Sequence, residues 1–223
     1  MTGTFNCGAL VTWWQAGHPD TEVLALTGSQ AAGDAGPHSD IDLIAIGPYP
    51  EFVRVRGRWL GISVEAMVAP WEWYEGVIMR YERESNIGTI TGMVANGLCL
   101  LGDGGPWRRL KALARDNWAR GPEALSEREL DAAYEKIRTL WANFLDAPDA
   151  ATRQWLGWTL LTTFADVRFK ERRWWAVKPR LVLTAWALGD PREAARVHEI
   201  MGAGFPEEDL RMLLASLVDR LPN

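Results

Sequence analysis

The stretch Leu26-Thr27-Gly28-Ser29, followed after ten residues by Asp40-Ile41-Asp42-Leu43, decides how this chain reads. Each half closes or opens an apolar run. Glu22–Thr27 (EVLALT) has the near-continuous hydrophobicity of a strand buried on both faces, and Asp40–Ile46 (DIDLIAI) reads as a second strand. Gly28 ends the first run, and Gly33 and Gly36 keep the connection compact. Further along, Phe52–Trp59 alternates, with Val53 and Val55 on one side and Arg54, Arg56 and Arg58 on the other. Gly61–Val68 is a fourth strand, and the pair Gly57–Arg58 marks a bulge or tight bend. Helical segments flank these strands at Ala9–Ala16 and Trp71–Glu84, and Leu98–Leu101 is a further short strand before the turn Asp103-Gly104-Gly105-Pro106.

The second half is helical. Ser126-Glu127-Arg128-Glu129 is a capping box, after which Leu130, Ala133, Tyr134, Ile137, Leu140, Trp141, Phe144 and Leu145 recur at helical spacing. A helix from about Asp149 to Lys170 is apolar nearly all round in its middle and is therefore central. Lys178–Leu188, Pro191–Met201 and Pro206–Leu221 complete a bundle. The expected fold is α+β: a mixed β-sheet with flanking helices, residues 1–110, then a helical bundle, residues 111–223.

Composition narrows the function classes. Residues 1–105 carry five Lys and Arg against twelve Asp and Glu, a net of −7, and none of the basic residues precedes Arg54. A long phosphate backbone needs a basic face, so no nucleic-acid partner is expected. Cys7, Cys99, His18, His38 and His198 form no zinc-type spacing, and two thiols make no disulfide framework, which favours a reducing cytosol. The N-terminus lacks the basic-then-apolar pattern of a secretory signal, and the uncharged stretch Gln154–Ala165 is too short for a bilayer. The chain is expected to be cytoplasmic, a monomer or homodimer, and without a membrane partner. The thirteen tryptophans read as aromatic core, with some left to line a cleft.

The chemistry sits in the acids. Side chains two apart on a strand share a face, so Asp40 and Asp42 stand side by side. Adjacent carboxylates repel, and a divalent cation removes the penalty. Mg²⁺ takes oxygen ligands and keeps room for waters and substrate phosphates. In Ile62–Val68, period two puts Ser63, Glu65 and Met67 on one face and Val64, Ala66 and Val68 on the core face. A charge inside so apolar a strand needs a partner. If this strand neighbours the aspartate strand, Glu65 completes a three-carboxylate site able to hold two metal ions. Gly28 lets backbone N–H groups approach an anion, the Ser29 hydroxyl can donate to a phosphate oxygen, and a helix starting there would add its dipole.

In this combination the chain resembles the DNA polymerase beta-like nucleotidyltransferase superfamily. The resemblance rests on Gly28-Ser29 with Ser39-Asp40-Ile41-Asp42-Leu43 and covers residues 22–68. Within the superfamily the chain is similar to the small-molecule branch that includes aminoglycoside and lincosamide nucleotidyltransferases. The resemblance implies an enzyme that transfers a nucleoside monophosphate from a nucleoside triphosphate such as ATP to a hydroxyl of a small-molecule acceptor, releasing pyrophosphate. It implies catalytic and magnesium-binding roles for Asp40, Asp42 and Glu65, with two ions bound, and triphosphate binding at Gly28 and Ser29, with Ser39 beside the first metal ligand. Two positions depart from the pattern: Gln30 stands where a basic residue is common, and Thr27 where an apolar one is usual.

A triphosphate needs further cations. The densest cluster is Arg168, Lys170, Arg172, Arg173, Lys178 and Arg180 around Trp174–Trp175. It reads either as a solvated helix end or as a phosphate clamp with a Trp stacked on the base, Lys178 being the first choice and Arg138 the second. The Arg54/Arg56/Arg58 stripe reads as a solvated strand face. Asp166, which interrupts an apolar helix, is either a general base or a buried residue paired with a nearby Arg for structure, and Glu135 and Asp131 are weaker candidates. The rival functional readings are a binding or regulatory module on the same fold, a protein-modifying nucleotidyltransferase, and a metal-dependent glycosyltransferase.

Overall fold

A run of five buried residues, Val23–Thr27 (β1), lies at the heart of the sheet because both its faces are covered. The computed structural model describes residues 6–102 and 104–218. The sheet continues with β2 (Ile41–Ile46), β3 (Val53–Trp59), β4 (Ile62–Ala69) and β5 (Leu98–Leu101), in the order β3-β4-β2-β1-β5. The β2–β4 junction is parallel; β1–β2, β1–β5 and β3–β4 are antiparallel. Asp103, the first residue of the turn read from sequence, lies outside the described residues, as do the residues of the last expected helix beyond Val218.

Alternation along the strands sorts their side chains into two cores. Leu24, Leu26, Leu43, Ala45, Val64, Ala66 and Val68 pack with Leu10 and Trp14 of α1 (Cys7–Gly17). The opposite set, Val23, Ala25, Ile44, Ile46, Met67 and Ala69, packs beneath a helical layer. That layer comprises α3 (Trp71–Gly76), a π-helical turn (Val77–Tyr81), α4 (Glu82–Ser85), α5 (Thr89–Asn96) and α6 (Gly105–Arg120); the short α2 (Gly28–Ala32) follows β1 directly. Met67, on the same face as Ser63 and Glu65, is thus buried in the second core, so both faces of β4 carry core. Helix α6 has Pro106 in its first turn and buries Trp107, Leu110 and Ala114 at helical spacing. The N-terminal amides of Ile90 and Thr91 in α5 are satisfied by the buried Glu82 carboxylate, at 2.6 Å each.

The expected bulge at Gly57 is absent, since β3 and β4 pair without a shift from Val53↔Val68 to Trp59↔Ile62. A Cβ at Gly57 would meet the Trp13 ring of α1 at 3.4 Å, an ordinary contact.

The chain divides into two compact units, Met1–Gly121 and Pro122–Asn223. The second contains α7 (Glu127–Leu145), α8 (Ala150–Glu171), a 3₁₀ turn (Pro179–Leu181), α9 (Val182–Gly189), α10 (Pro191–Gly202) and α11 (Glu207–Leu214). Its core gathers Trp141, Phe144, Phe164, Phe169 and Trp186 with aliphatic residues of α8, α10 and α11. The capping box at Ser126 forms as read, with both reciprocal hydrogen bonds in place. The architecture is α+β, a mixed five-stranded sheet with flanking helices followed by a helical region. No helix among the described residues is long and apolar enough to cross a membrane.

Candidate functional site

The register sets Thr27, Asp42, Glu65 and Arg56 in one row across β1, β2, β4 and β3. They share the face whose inner part is buried by Ile44, Ile46 and Met67, so the row lies where the apolar pattern of that face ends. Asp40 stands two residues before Asp42, just ahead of β2. Oxygen atoms of Asp40, Asp42 and Glu65 lie within 4.8 Å of one another. Asp40 is exposed, and the other two are half-buried.

This donor set fits a hard divalent cation. Opposite oxygens on one Mg²⁺ are about 4.2 Å apart, and two ions sharing ligands sit about 3.5–4 Å apart. A separation of at most 4.8 Å suits such ligands with small side-chain adjustments. Gly28 supplies the second part of the fit. Its φ is +64°, and a Cβ at this position would lie 2.2 Å from Asp42 Oδ2. Only a residue without a side chain leaves the carboxylate its place.

The residues flanking the triad hold the backbone. Thr27 is buried, and its hydroxyl donates to the Asp42 carbonyl at 3.1 Å, stapling the ends of β1 and β2 together. That bond explains a polar residue where the related pattern is apolar. Ser29 is half-buried in α2. The Ser39 hydroxyl accepts from the Gly36 amide at 2.9 Å and, with the Ser39 N–H to Gly36 carbonyl bond, closes the turn that delivers Asp40.

The structure corrects the expectation for β3. Arg54 and Arg56 are not simply solvated: Arg56 Nε and Nη2 lie 3.2 and 3.1 Å from Glu65 Oε1, and Arg54 Nη1 is 3.5 Å from the same oxygen. The period-two pattern placed the three arginines on one face, but the pairing partner that makes that face part of the site comes from β4.

The basic cluster of the second unit is mostly committed to its own fold. Arg168 is buried and paired with Glu171, Glu193 and the Ser216 hydroxyl. Lys170 pairs with Asp166 at 2.9 Å, Arg172 lies 3.6 Å from Asp190, and Arg173 donates to the Pro122 carbonyl. Arg138 pairs with Glu135. Asp166 is exposed and pairs with Lys170, which differs from a buried aspartate held by an arginine. Lys178 caps the 3₁₀ turn Pro179–Leu181 through its backbone position. The Trp pair also belongs to this unit's packing: Trp175 is buried, and Trp174 sits against Phe169 and fills the space over Gly189, where a Cβ would be 2.3 Å from its ring.

The chain is similar to known proteins in part of its sequence and in fold. Residues 15–85, which include the whole acidic row, match the family described as nucleotidyltransferase domain. No curated protein matches the chain closely enough to count as a relative. Among solved structures, a nucleotidyltransferase-like protein from Exiguobacterium sibiricum 255-15 is 15% identical, with 96% of this chain and 75% of that one covered and a TM-score of 0.48. Family match and acidic row fall on the same stretch, which carries the first four strands of the sheet, and together they support the polymerase beta-like nucleotidyltransferase superfamily for this stretch.

Proposed function

We propose that this protein is a divalent-metal-dependent enzyme that moves a nucleoside monophosphate from a nucleoside triphosphate to a hydroxyl of a small-molecule acceptor. The acceptor oxygen bonds to the α-phosphorus as the bond to the pyrophosphate oxygen breaks, and the hydroxyl proton leaves to solvent. One observation carries the reading: three carboxylates from β2, β4 and the turn before β2 converge within 4.8 Å beside a glycine whose missing side chain makes room for them.

Asp40, Asp42 and Glu65 would hold the metal, taken to be Mg²⁺. The bound metal would supply Lewis-acid stabilisation of charge on the phosphates and the leaving pyrophosphate. Gly28 and Ser29, at the head of α2, are the proposed triphosphate contacts, with Ser39 keeping Asp40 in position and Lys178 a further candidate for the phosphates. The acidic balance of residues 1–105 supports a cationic acceptor, such as an amino sugar or aminocyclitol, over a polyanion. Cys7 and Cys99 are not joined in a disulfide, in keeping with a cytoplasmic enzyme.

The test is calorimetric. Asp40→Asn combined with Asp42→Asn is expected to abolish Mg²⁺-dependent binding of a non-hydrolysable nucleotide. Binding that survives the double substitution removes the basis of the assignment. Release of pyrophosphate from a panel of nucleotides and aminated sugars distinguishes the enzyme from a module that only binds.

A further inference from the structure

Positive charge on the sheet is confined to one strand. Its only Lys or Arg residues are Arg54, Arg56 and Arg58, all on the edge strand β3, and two of them converge on a single oxygen of Glu65. The arginine side chains are 49% and 75% exposed, while that of Glu65 is 26% exposed. An ion pair so open to water is weak and readily exchanged. A divalent cation with two further carboxylates within reach is a far stronger competitor for Glu65, so metal binding and the arginine pairs are alternatives for the same oxygen.

Charge balance says where the arginines go next. Two divalent ions on three carboxylates leave about one net positive charge against a polyphosphate tail of about four negative charges. Several other basic groups of this unit are held by main-chain carbonyls: Arg83 by that of Gly121, Lys111 by that of Gly97 and Arg115 by that of Ala95. A guanidinium fork matches phosphate oxygens in a two-point contact that a lysine does not reproduce. Long side chains on an exposed edge strand can turn without disturbing the core.

We propose that Arg54 and Arg56 are exchangeable counterions. They hold the Glu65 carboxylate in the metal-free site and pass to the polyphosphate tail of the nucleoside triphosphate once a divalent cation takes that carboxylate. This rests on the proposed function and adds to it the phosphate-binding side chains and the order of events. Metal alone meets competition from the arginines, whereas metal with polyphosphate gains from them.

The opposed signs give the test. Mn²⁺ alone, and then inorganic tripolyphosphate in the presence of Mn²⁺, are titrated calorimetrically into the full chain, its Arg54→Gln/Arg56→Gln variant and its Arg54→Lys/Arg56→Lys variant. The glutamine pair is expected to bind Mn²⁺ about threefold more tightly or better, because the competitor is gone. It should bind tripolyphosphate about tenfold more weakly, because charge-assisted contacts are lost. The lysine pair should fall between. Unchanged affinities, or both affinities falling together as a merely structural role for β3 would produce, overturn the proposal. If the unaltered chain takes up no Mn²⁺, the functional reading and this inference fail together. Normal metal uptake with indifferent variants sinks the inference alone.

Discussion

Asp42 on β2 and Glu65 on β4 are direct register partners across the parallel junction of the sheet. Two carboxylates held side by side in this way repel one another unless something positive stands between or beside them. In this protein Arg54 and Arg56 meet that need from β3, on the far side of Glu65. The pairing therefore joins the acidic strand ends to the only basic strand of the sheet, and the expected behaviour of the site follows from it.

Glu65→Gln keeps the size of the side chain and the strand but removes the charge that both a metal and the arginines use. Mn²⁺ affinity is expected to fall by more than about tenfold, as measured by calorimetry. Thermal stability should change little, because exposed pairs contribute about 0–1 kcal/mol. An unaltered Mn²⁺ isotherm would show that Glu65 is not a ligand.

Gly28→Ala tests the space left for Asp42. The added Cβ meets Asp42 Oδ2 at 2.2 Å, and the backbone sits at φ +64°, where an L side chain is strained. The variant should lose about 1–3 kcal/mol of stability in urea unfolding and bind Mn²⁺ more weakly as Asp42 is pushed aside. A variant of normal stability and normal metal affinity would refute this account of the glycine.

Arg168→Met tests the buried ion-pair hub of the helical unit. Arg168 is 5% exposed and Glu193 12%, and their contact is 2.9 Å. Removing the guanidinium leaves the Glu193 carboxylate without its charge partner, although the Trp186 indole still donates to it at 2.9 Å. Urea denaturation should report a loss of about 3–5 kcal/mol. A loss below about 1 kcal/mol would mean that Glu193 finds water or relaxes.

Acid should loosen two helix starts. The Glu129 carboxyl is held below its ordinary value of 4.5 by hydrogen bonds from the Ser126 side chain and backbone, and the Asp149 carboxyl below its ordinary 3.8 by the Thr152 amide and hydroxyl. A carboxyl whose folded value is depressed contributes stability that is complete above its unfolded value. That contribution is lost as pH falls through the depressed one. The thermal midpoint should therefore drop below about pH 4.5, and the drop should be shallower in Glu129→Gln and Asp149→Asn. Parallel melting-versus-pH curves for all three proteins would refute the assignment.

Local pattern was enough for much of this molecule. Period two places Asp40 beside Asp42, and Val64, Ala66 and Val68 on a core face opposite Glu65. The capping box at Ser126 is written in four consecutive residues. These features depend on neighbours in the chain, so residue spacing carries them. Helix α5 is less legible: it is short, and its N-terminal amides are satisfied by Glu82 from α4 rather than by a cap of its own.

The sequence by itself determined which residues could do chemistry, because backbone periodicity and residue type are local. The tertiary structure alone decided that β4 inserts between β3 and β2, since strand order is a contest among distant pairings that no single segment encodes. That insertion sets Glu65 next to Asp42 on one side and Arg56 on the other. It also turned a solvated-looking arginine stripe into part of the site, while burial of Arg168 and the ion pairs of Lys170 and Arg172 commit much of the basic cluster around the end of α8 to its own unit.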